Sequence, residues 1–267
     1  MDQYLPLLWL VPLGFFAGGF GTIIGAGGGF ILAPALLFLF PGEAPEAATS
    51  VSLAVVFFNS LSGTLAYARS KRIDYKSGSI FAGATIPGAI LGALTTTGIS
   101  RAYFNLAFGG LLMLVGIFLA VSPAKKTAYK IAQAGGGAHV TPHLTRPMLL
   151  LGSILSLAFG FLSSFFGIGG GVLYVPTLTY ALKFPIHIAT ATSLFVLTIT
   201  AFSGAATHTA AGLYHGGIQQ IIGLSVGAIL GAQVGARLSH RLHGDWIIRG
   251  LATALALAGI RLVASAL

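Results

Sequence analysis

Long apolar segments follow one another along the whole chain, and most are close to the length of a membrane-spanning helix. Such a helix needs about 20 mainly apolar residues to cross roughly 30 Å of hydrocarbon. The first five segments lie at about 5–24, 30–40, 46–68, 78–97 and 103–121. Five more lie at about 147–166, 172–182, 187–211, 215–236 and 246–265. Four segments in each set are long and one is short, which predicts an all-α polytopic membrane protein of eight to ten helical segments.

Charged residues are too scarce to build a water-soluble surface. They make up 7% of the 267 residues, whereas an ordinary soluble domain has about 25%. The formal net charge is +9, but the basic residues lie between apolar segments, so we expect no nucleic-acid partner and a lipid bilayer as the solvent. The chain has no cysteine, which excludes disulfides, thiolate metal ligands and transport through a persulfide. No cofactor and no metal site is predicted.

The chain consists of two halves with related sequences. The clearest repeated block is Gly25-Ala26-Gly27-Gly28-Gly29 with Pro34, which returns 142 residues later as Gly167-Ile168-Gly169-Gly170-Gly171 with Pro176. Ala48-Thr49 with Ser52-Leu53 returns 141 residues later as Ala189-Thr190 with Ser193-Leu194. These repeats predict a first transmembrane repeat at 1–121, a cytoplasmic linker at 122–146 and a second transmembrane repeat at 147–267. A duplicated transporter often binds its substrate where the two repeats meet.

The basic residues indicate that the two repeats have opposite orientations in the membrane. The loop at 69–77 carries four Lys and Arg residues, and the equivalent loop at 210–218 carries none. The next loop, at 98–102, carries one Arg, and its equivalent at 237–249 carries three. Because cytoplasmic loops collect Lys and Arg, this exchange predicts inverted repeats with both termini outside. If each long and short pair is instead one interrupted helix, the repeats are parallel and the charge pattern is unexplained.

The two glycine runs are candidate anion sites. Each run interrupts an apolar stretch and precedes a helix of about 11 residues, which spans only half a membrane at 1.5 Å per residue. A helix that begins after glycines offers free N–H donors and the positive end of its dipole to an anion. The predicted binding residues are Gly27, Gly28, Gly29, Gly169, Gly170 and Gly171. Close helix packing is the alternative, and it is the interpretation we adopt for Gly88, Gly92, Gly227 and Gly231.

Hydroxyl residues follow each short segment, in the first turn of the next long one. They are Thr49, Ser50 and Ser52 in the first half, and Thr190, Thr192 and Ser193 in the second. Their hydroxyls could donate to an oxyanion at a helix start that favours negative charge. Helix capping and bonds between helices remain the alternative for each of them.

Ionisable side chains restrict the class of substrate. All five carboxylates lie at segment ends or in loops, so no segment centre has the acidic residue expected of a cation pathway. His208 lies inside an apolar segment, with Tyr67 at the equivalent place in the first half, and it could bind substrate or carry a proton. Asn59, whose equivalent is Thr200, is a further candidate. A packing role is the alternative for both.

The blocks G-A-G-G-G-F-I-L-A-P and G-I-G-G-G-V-L-Y-V-P, each followed by an A-T-S-type helix start, resemble the TauE/SafE sulfite exporter family. The resemblance covers nearly the whole chain. It implies a bacterial or archaeal inner-membrane carrier that exports sulfite, sulfonates such as sulfoacetate, or related small oxyanions. Substrates within the family are diverse, so the resemblance supports the class of transporter more than the substrate.

The sequence therefore predicts a carrier that binds a small anionic substrate between its repeats and exports it by alternating access. An anion channel on the same scaffold, or a carrier for another small anion, is the alternative. An intramembrane enzyme that uses His208 or His187 has no support from paired acids, metal-ligand spacing or a nucleophile motif. Whether the protein forms a homodimer stays open.

Overall fold

Ten helical segments follow one another in the computed structural model, which describes residues 5–121, 144–212, 217–239 and 244–265. The first half contains α1 (Leu5–Ile24), α2 (Gly29–Leu39), α3 (Pro45–Arg69), α4 (Tyr75–Thr95) and α5 (Arg101–Val121). The second half contains α6 (Arg146–Phe166), α7 (Gly171–Pro176) with a π-helical continuation at Thr177–Ala181, α8 (Ile186–Ala210), α9 (Ile218–Leu238) and α10 (Gly244–Ala264).

The predicted membrane fold is confirmed. Among the described helices, α3, α4, α5, α6, α8 and α9 are long and apolar enough to cross a bilayer. The described elements are helical throughout, and their bounds lie within a few residues of the predicted segments. Of the predicted linker at 122–146, only residues 144–146 are among those described.

The two short helices differ, although the sequence predicts similar ones. Thr177 follows Pro176, and its hydroxyl donates to the carbonyl of Leu173 (2.8 Å). The N–H of Leu182 then bonds to the carbonyl of Thr177 five residues back (3.1 Å), which is the π-helical pattern. In the first half the residue after Pro34 is Ala35, which has no hydroxyl, and α2 stays α-helical. The second short segment is therefore wider than its equivalent.

Small residues bring helices of opposite halves into close contact. α1 packs along α9, and α4 packs along α6, which is the equivalent pair with the halves exchanged. A Cβ on Gly88 or Gly92 would overlap the carbonyl oxygens of Leu157 and Phe161 in α6. A Cβ on Gly227 or Gly231 would overlap those of Val11 and Phe15 in α1. The predicted packing role of these four glycines is confirmed.

α3 and α8 lie at the centre of the molecule and run in opposite directions. Ser50, near the start of α3, contacts His208, near the end of α8, at 2.9 Å. Thr64, near the end of α3, contacts Thr198 at 3.2 Å. The equivalent helices α5 and α10 also run in opposite directions, since Asn105 at the start of α5 donates to Ser265 just after α10 (3.2 Å). Each of these two pairs thus joins a helix to its own repeat equivalent.

Candidate functional site

The two glycine runs have the same backbone conformation. Gly28 and Gly170 precede α2 and α7 with φ of 78° and 74°, in the left-handed region that glycine adopts without steric cost. Gly25, Gly27, Gly167 and Gly169 also have positive φ. Each run therefore reverses the chain sharply between a long helix and a short one, and a residue with a Cβ would strain that reversal.

The runs meet at the centre of the molecule. A Cβ on Gly29 would stand 2.7 Å from the carbonyl oxygen of Gly167, and one on Gly171 would overlap the carbonyl oxygen of Gly25. Gly27 and Gly169 both face the side chains of Val56 and Leu197. Because Val56 and Leu197 lie at the midpoints of the 25-residue helices α3 and α8, the runs lie at mid-depth. The sequence could not give this depth.

Several main-chain donors at this meeting point have no partner. In the described part of the chain, no carbonyl or side chain accepts the N–H groups of Gly28, Gly29, Gly170 or Gly171. The first N–H groups of a helix lack intrahelical acceptors, and the helix dipole adds partial positive charge there. The N-terminal ends of α2 and α7 therefore converge. Their free N–H groups become available to an oxyanion once the two glycine runs separate.

Two of the predicted site residues hold the runs in place. The Ser52 hydroxyl donates to the carbonyl of Gly167 (2.6 Å), and the Ser193 hydroxyl donates to the carbonyl of Gly25 (2.8 Å). Each serine thus bonds to the run of the opposite half. Since each hydroxyl has one proton, neither donates to an anion in this conformation. Their part in substrate binding stays a prediction.

A cluster of unpartnered polar atoms lies beside the second run, and we call it the polar cluster. Its members are buried and lack hydrogen-bond partners of normal geometry: Thr49 Oγ1, Ser163 Oγ, Ser164 Oγ and His208 Nε2. Thr49 stands against Gly167, Ser163 against Gly170, and Ser164 against Gly204. The main chain of Ser164 also lies near His208. A buried polar atom without a partner costs about 1–3 kcal/mol, so a cluster of them requires an explanation such as a ligand.

Both sides of the His208 ring have polar neighbours. Nδ1 lies 2.9 Å from the Ser50 hydroxyl, which also lies 2.6 Å from the carbonyl of Glu46, and which of Ser50 and Nδ1 donates depends on the tautomer of the ring. The main chain of Ser164 is a further hydrogen-bonding neighbour of the ring. An imidazole that can donate or accept suits a protonated oxyanion, or an anion that arrives with a proton on the ring.

At the equivalent place in the first half, most of the polar side-chain atoms have hydrogen-bond partners. Tyr67 replaces His208, and its hydroxyl donates to the carbonyl of Thr22 (3.2 Å). Thr22 replaces Ser164, and its hydroxyl donates to Asn59 Oδ1 (3.4 Å), while Asn59 Nδ2 has no partner among the described residues. The two halves thus share a backbone but differ in polar chemistry.

The remaining predicted residues divide between the site and its surroundings. Thr190 stands against Gly25, so it adjoins the first run. The Thr192 hydroxyl instead accepts from the N–H of Asp74 at the start of α4 (3.0 Å), away from the runs. Ser163 and Ser164 were not predicted, although they lie only four and three residues before Gly167 and are equivalent to Gly21 and Thr22. Within the described ranges no group of three or more His, Asp or Glu side chains could hold a metal ion.

Comparisons with known proteins agree over nearly the whole chain. The model of the family described as "Sulfite exporter TauE/SafE" matches residues 10–262. The probable membrane transporter protein YunE of Bacillus subtilis is 32% identical over 267 residues, covering 95% of this chain and 96% of the relative. A probable membrane transporter protein of Methanocaldococcus jannaschii is 34% identical over 206 residues, covering 75% of this chain and 70% of the relative. No solved structure matches the chain.

Proposed function

The chain belongs to the TauE/SafE family of sulfite exporters and is a multi-pass transporter of the cell membrane rather than an enzyme, and from this premise we propose that it exports small sulfur-containing oxyanions. The proposed substrates are sulfite, sulfoacetate or related organosulfonates. The observation that carries the proposal is the meeting of two helix starts, with free N–H groups, at mid-depth beside the polar cluster. A site of this composition suits an oxyanion, which accepts many hydrogen bonds and carries negative charge.

The surrounding charge also favours an anion. The side chains of three of the five carboxylates are described, and Glu43, Glu46 and Asp74 all lie at or next to helix ends. Glu46 lies in the first turn of α3, and Asp245 is the second residue of α10. No described carboxylate lies near the glycine runs to attract a cation or repel an anion.

The packing supports an inverted arrangement of the repeats. A rotation axis along the membrane normal would make equivalent spanning helices parallel, whereas an axis in the membrane plane makes them antiparallel. The contacts between α3 and α8, and between α5 and α10, are antiparallel. In addition, Arg69 at the end of α3 and Arg237 at the end of α9 line one cavity, so the two Arg-rich loops begin on the same face. That face is cytoplasmic by the positive-inside rule.

The closed arrangement of the glycine runs supports transport by alternating access. All residues of both glycine runs are buried, and the serine bonds from Ser52 and Ser193 keep the runs together. A closed centre of this kind favours a carrier over an open channel. Rocking of one repeat against the other would separate the runs and expose the site to one side at a time. An inside-negative potential of 100 mV contributes about 2.3 kcal/mol per negative charge exported, so it could drive efflux without a coupling ion.

The proposal predicts opposite effects of one substitution on stability and transport. Thr49→Val keeps the shape of the side chain and removes a hydroxyl that has no partner in the protein. The free energy of unfolding should stay equal or rise by up to about 1 kcal/mol, while sulfite efflux from proteoliposomes should fall at least about tenfold. Thr200→Val is the control, because that hydroxyl is bonded to Thr85 and Val196. It should lower stability and leave efflux unchanged.

A ligand panel identifies the substrate class independently. Thermal unfolding of the purified protein is measured with sulfite, sulfate, thiosulfate, sulfoacetate, taurine, phosphate and chloride. A ligand that binds only the folded state raises the unfolding temperature according to its affinity. Selective stabilisation by sulfite or a sulfonate supports the proposal. Unchanged efflux in a folded Thr49→Val protein, together with no selective stabilisation, would sink it.

A further inference from the structure

A cavity of about 100 Å³ opens between the C-terminal ends of α3 and α9, at a distance from the glycine runs. Its lining residues are Ala66, Arg69, Ser70, Gln233, Ala236 and Arg237. Arg69 follows Val56 by 13 residues, so it lies about 20 Å along α3 from the level of the runs. The arginine side chains are exposed, which places the opening at the membrane surface.

No described side chain neutralises the positive charge of this cavity. Arg69 and Arg237 make no ion pair or hydrogen bond with any described side chain. Asp74, the nearest carboxylate along the chain from Arg69, instead accepts from the main chain of Lys76 and from the Ser77 hydroxyl (3.2 and 2.7 Å). Two unpaired guanidinium groups on one concave surface attract anions, and each offers a planar set of donors that matches an oxyanion.

The inner wall of the cavity is held in position by hydrogen bonds between α3 and α9. Gln233 Nε2 donates to the main-chain and side-chain oxygens of Ser62 (2.9 and 2.8 Å), and the Ser62 hydroxyl donates to the carbonyl of Ile229 (3.0 Å). The amide of Gln233 therefore has no donor left in these bonds for a ligand in the cavity. The donors that remain for a ligand in the cavity are the two guanidinium groups and the Ser70 hydroxyl.

We propose that this cavity, named here the arginine pocket, binds a single oxyanion group. The group is a free sulfite, sulfate or sulfonate, or the phosphate of a lipid headgroup, which share the same charge and acceptor geometry. The volume holds several water molecules and hence one such group, but not a nucleotide. Because both arginines lie at helix C-terminal ends, whose dipoles oppose an anion, binding is weak and reversible.

Weak binding fits a collecting site at the inner face. Where the proposed export function holds, the arginine pocket raises the local concentration of substrate anions on the cytoplasmic side before they reach the glycine runs. Tyr67 follows the pocket residue Ala66, and its buried hydroxyl donates to the carbonyl of Thr22, three residues before the first glycine run. Occupancy of the pocket itself requires no transport.

The test measures occupancy at individual arginines. The full chain, purified and delipidated in detergent, is labelled with an arginine-selective dicarbonyl reagent, and the rate at each arginine is read by mass spectrometry. Sulfate at 10 mM, on the order of weak oxyanion affinities, should slow labelling of Arg69 and Arg237 at least about threefold. Arg146 is also exposed and serves as the internal control, with chloride at equal ionic strength as the control for screening.

A second arm distinguishes a lipid from a free anion. In phosphatidylglycerol nanodiscs without sulfate, protection of Arg69 and Arg237 but not of Arg146 would assign the pocket to a headgroup phosphate. Protection by sulfate in detergent assigns it to a free oxyanion. No selective protection in either arm, or equal protection of Arg146, overturns the proposal.

Transport kinetics then separate this site from the central one. Arg69→Gln with Arg237→Gln should raise the KM for sulfite presented on the pocket side at least about threefold and leave Vmax unchanged. The control is Lys71→Asn with Lys76→Gln, which removes the same charge from exposed residues in the loop after α3 and in the first turn of α4, and its KM should stay within about twofold. If Thr49→Val has no effect on efflux but sulfate still protects the arginines, the central-site assignment fails and the arginine pocket stands. A Vmax loss with unchanged KM in the arginine variant would overturn the collecting role.

Discussion

The buried serines beside the glycine runs are of two kinds. Some hold the two halves together by hydrogen bonds, and others have no hydrogen-bond partner. Ser52 and Ser193 donate across the molecule to the opposite glycine run, whereas Ser163 and Ser164 have no partner beside the second run. Removing a partnered hydroxyl leaves a buried carbonyl without its donor, which costs more than removing an orphan. The same substitution should therefore have different signs at the two kinds of position.

Ser52→Ala and Ser193→Ala should each lower the free energy of unfolding by about 1–2 kcal/mol, because each leaves the Gly167 or Gly25 carbonyl without its donor. Ser203→Ala is the matched control on α8, since that hydroxyl only bonds back to Ile199 in its own helix (2.9 Å). Its effect should stay within about 0.5 kcal/mol. Thermal unfolding followed by circular dichroism measures all three. Equal losses in the three variants would contradict the clamp role.

His208→Asn separates the two ring nitrogens. The Asn amide can replace Nδ1 as the hydrogen-bond partner of Ser50, but it has no group at the place of Nε2. We expect stability within about 1 kcal/mol of the wild type and efflux at least about tenfold lower, and His208→Ala should lower both. Efflux and thermal unfolding are measured on the same preparations. Wild-type efflux by His208→Asn would limit this histidine to packing.

For individual residues, the sequence predicted which positions lie near the glycine runs better than it predicted what each side chain does there. The repeat marked Thr49, Ser50, His208 and the glycines, and in the folded chain Thr49 lies against Gly167 and Ser50 contacts His208. It did not indicate that Ser52 and Ser193 bond across the halves, because a hydroxyl looks the same in sequence whether its partner is a ligand or a carbonyl 115 residues away. Ser163 and Ser164 were missed because their equivalents, Gly21 and Thr22, do not form a matching pair.

The pairing of α4 with α6 depends on close backbone contact. α4 contains one glycine at this contact and another outside it, so the two can be compared. In α4, Gly92 faces the α6 backbone at Phe161, whereas a Cβ on Gly83 would meet nothing within 4 Å. Gly92→Leu should destabilise the fold by more than about 3 kcal/mol, since the helices must separate. Gly83→Leu should be neutral or slightly stabilising, because leucine favours a helix more than glycine does. Folded yield and unfolding temperature in detergent report both. Similar yields would show that α4 and α6 tolerate separation.

Helix existence and bounds were predictable because apolar length and prolines determine them locally. The π-helix at Thr177–Ala181 was not predictable, since it depends on a hydroxyl competing for one carbonyl within an otherwise ordinary short helix. Nor was the depth of the glycine runs, which follows from the contacts of Gly27 and Gly169 with the midpoints of two other helices. Local sequence patterns thus determine which helices form, and contacts between the two halves determine where those helices and the glycine runs lie in the molecule.

The orientation of the two repeats is a property of the whole molecule, and the chain offers a direct test because it has no native cysteine. Gly42 and Lys183 are exposed and equivalent, and Lys71 and Ala211 are exposed residues of two equivalent loops. Inverted repeats place Lys71 and Lys183 in the cytoplasm and Gly42 and Ala211 outside. Single cysteines at these four positions are labelled in intact cells with a membrane-impermeant maleimide. Gly42→Cys and Ala211→Cys should react, and Lys71→Cys and Lys183→Cys should react only after permeabilisation. Labelling of both members of a pair from the same side would instead mean parallel repeats, and the antiparallel contact of α3 with α8 would then require strongly tilted helices.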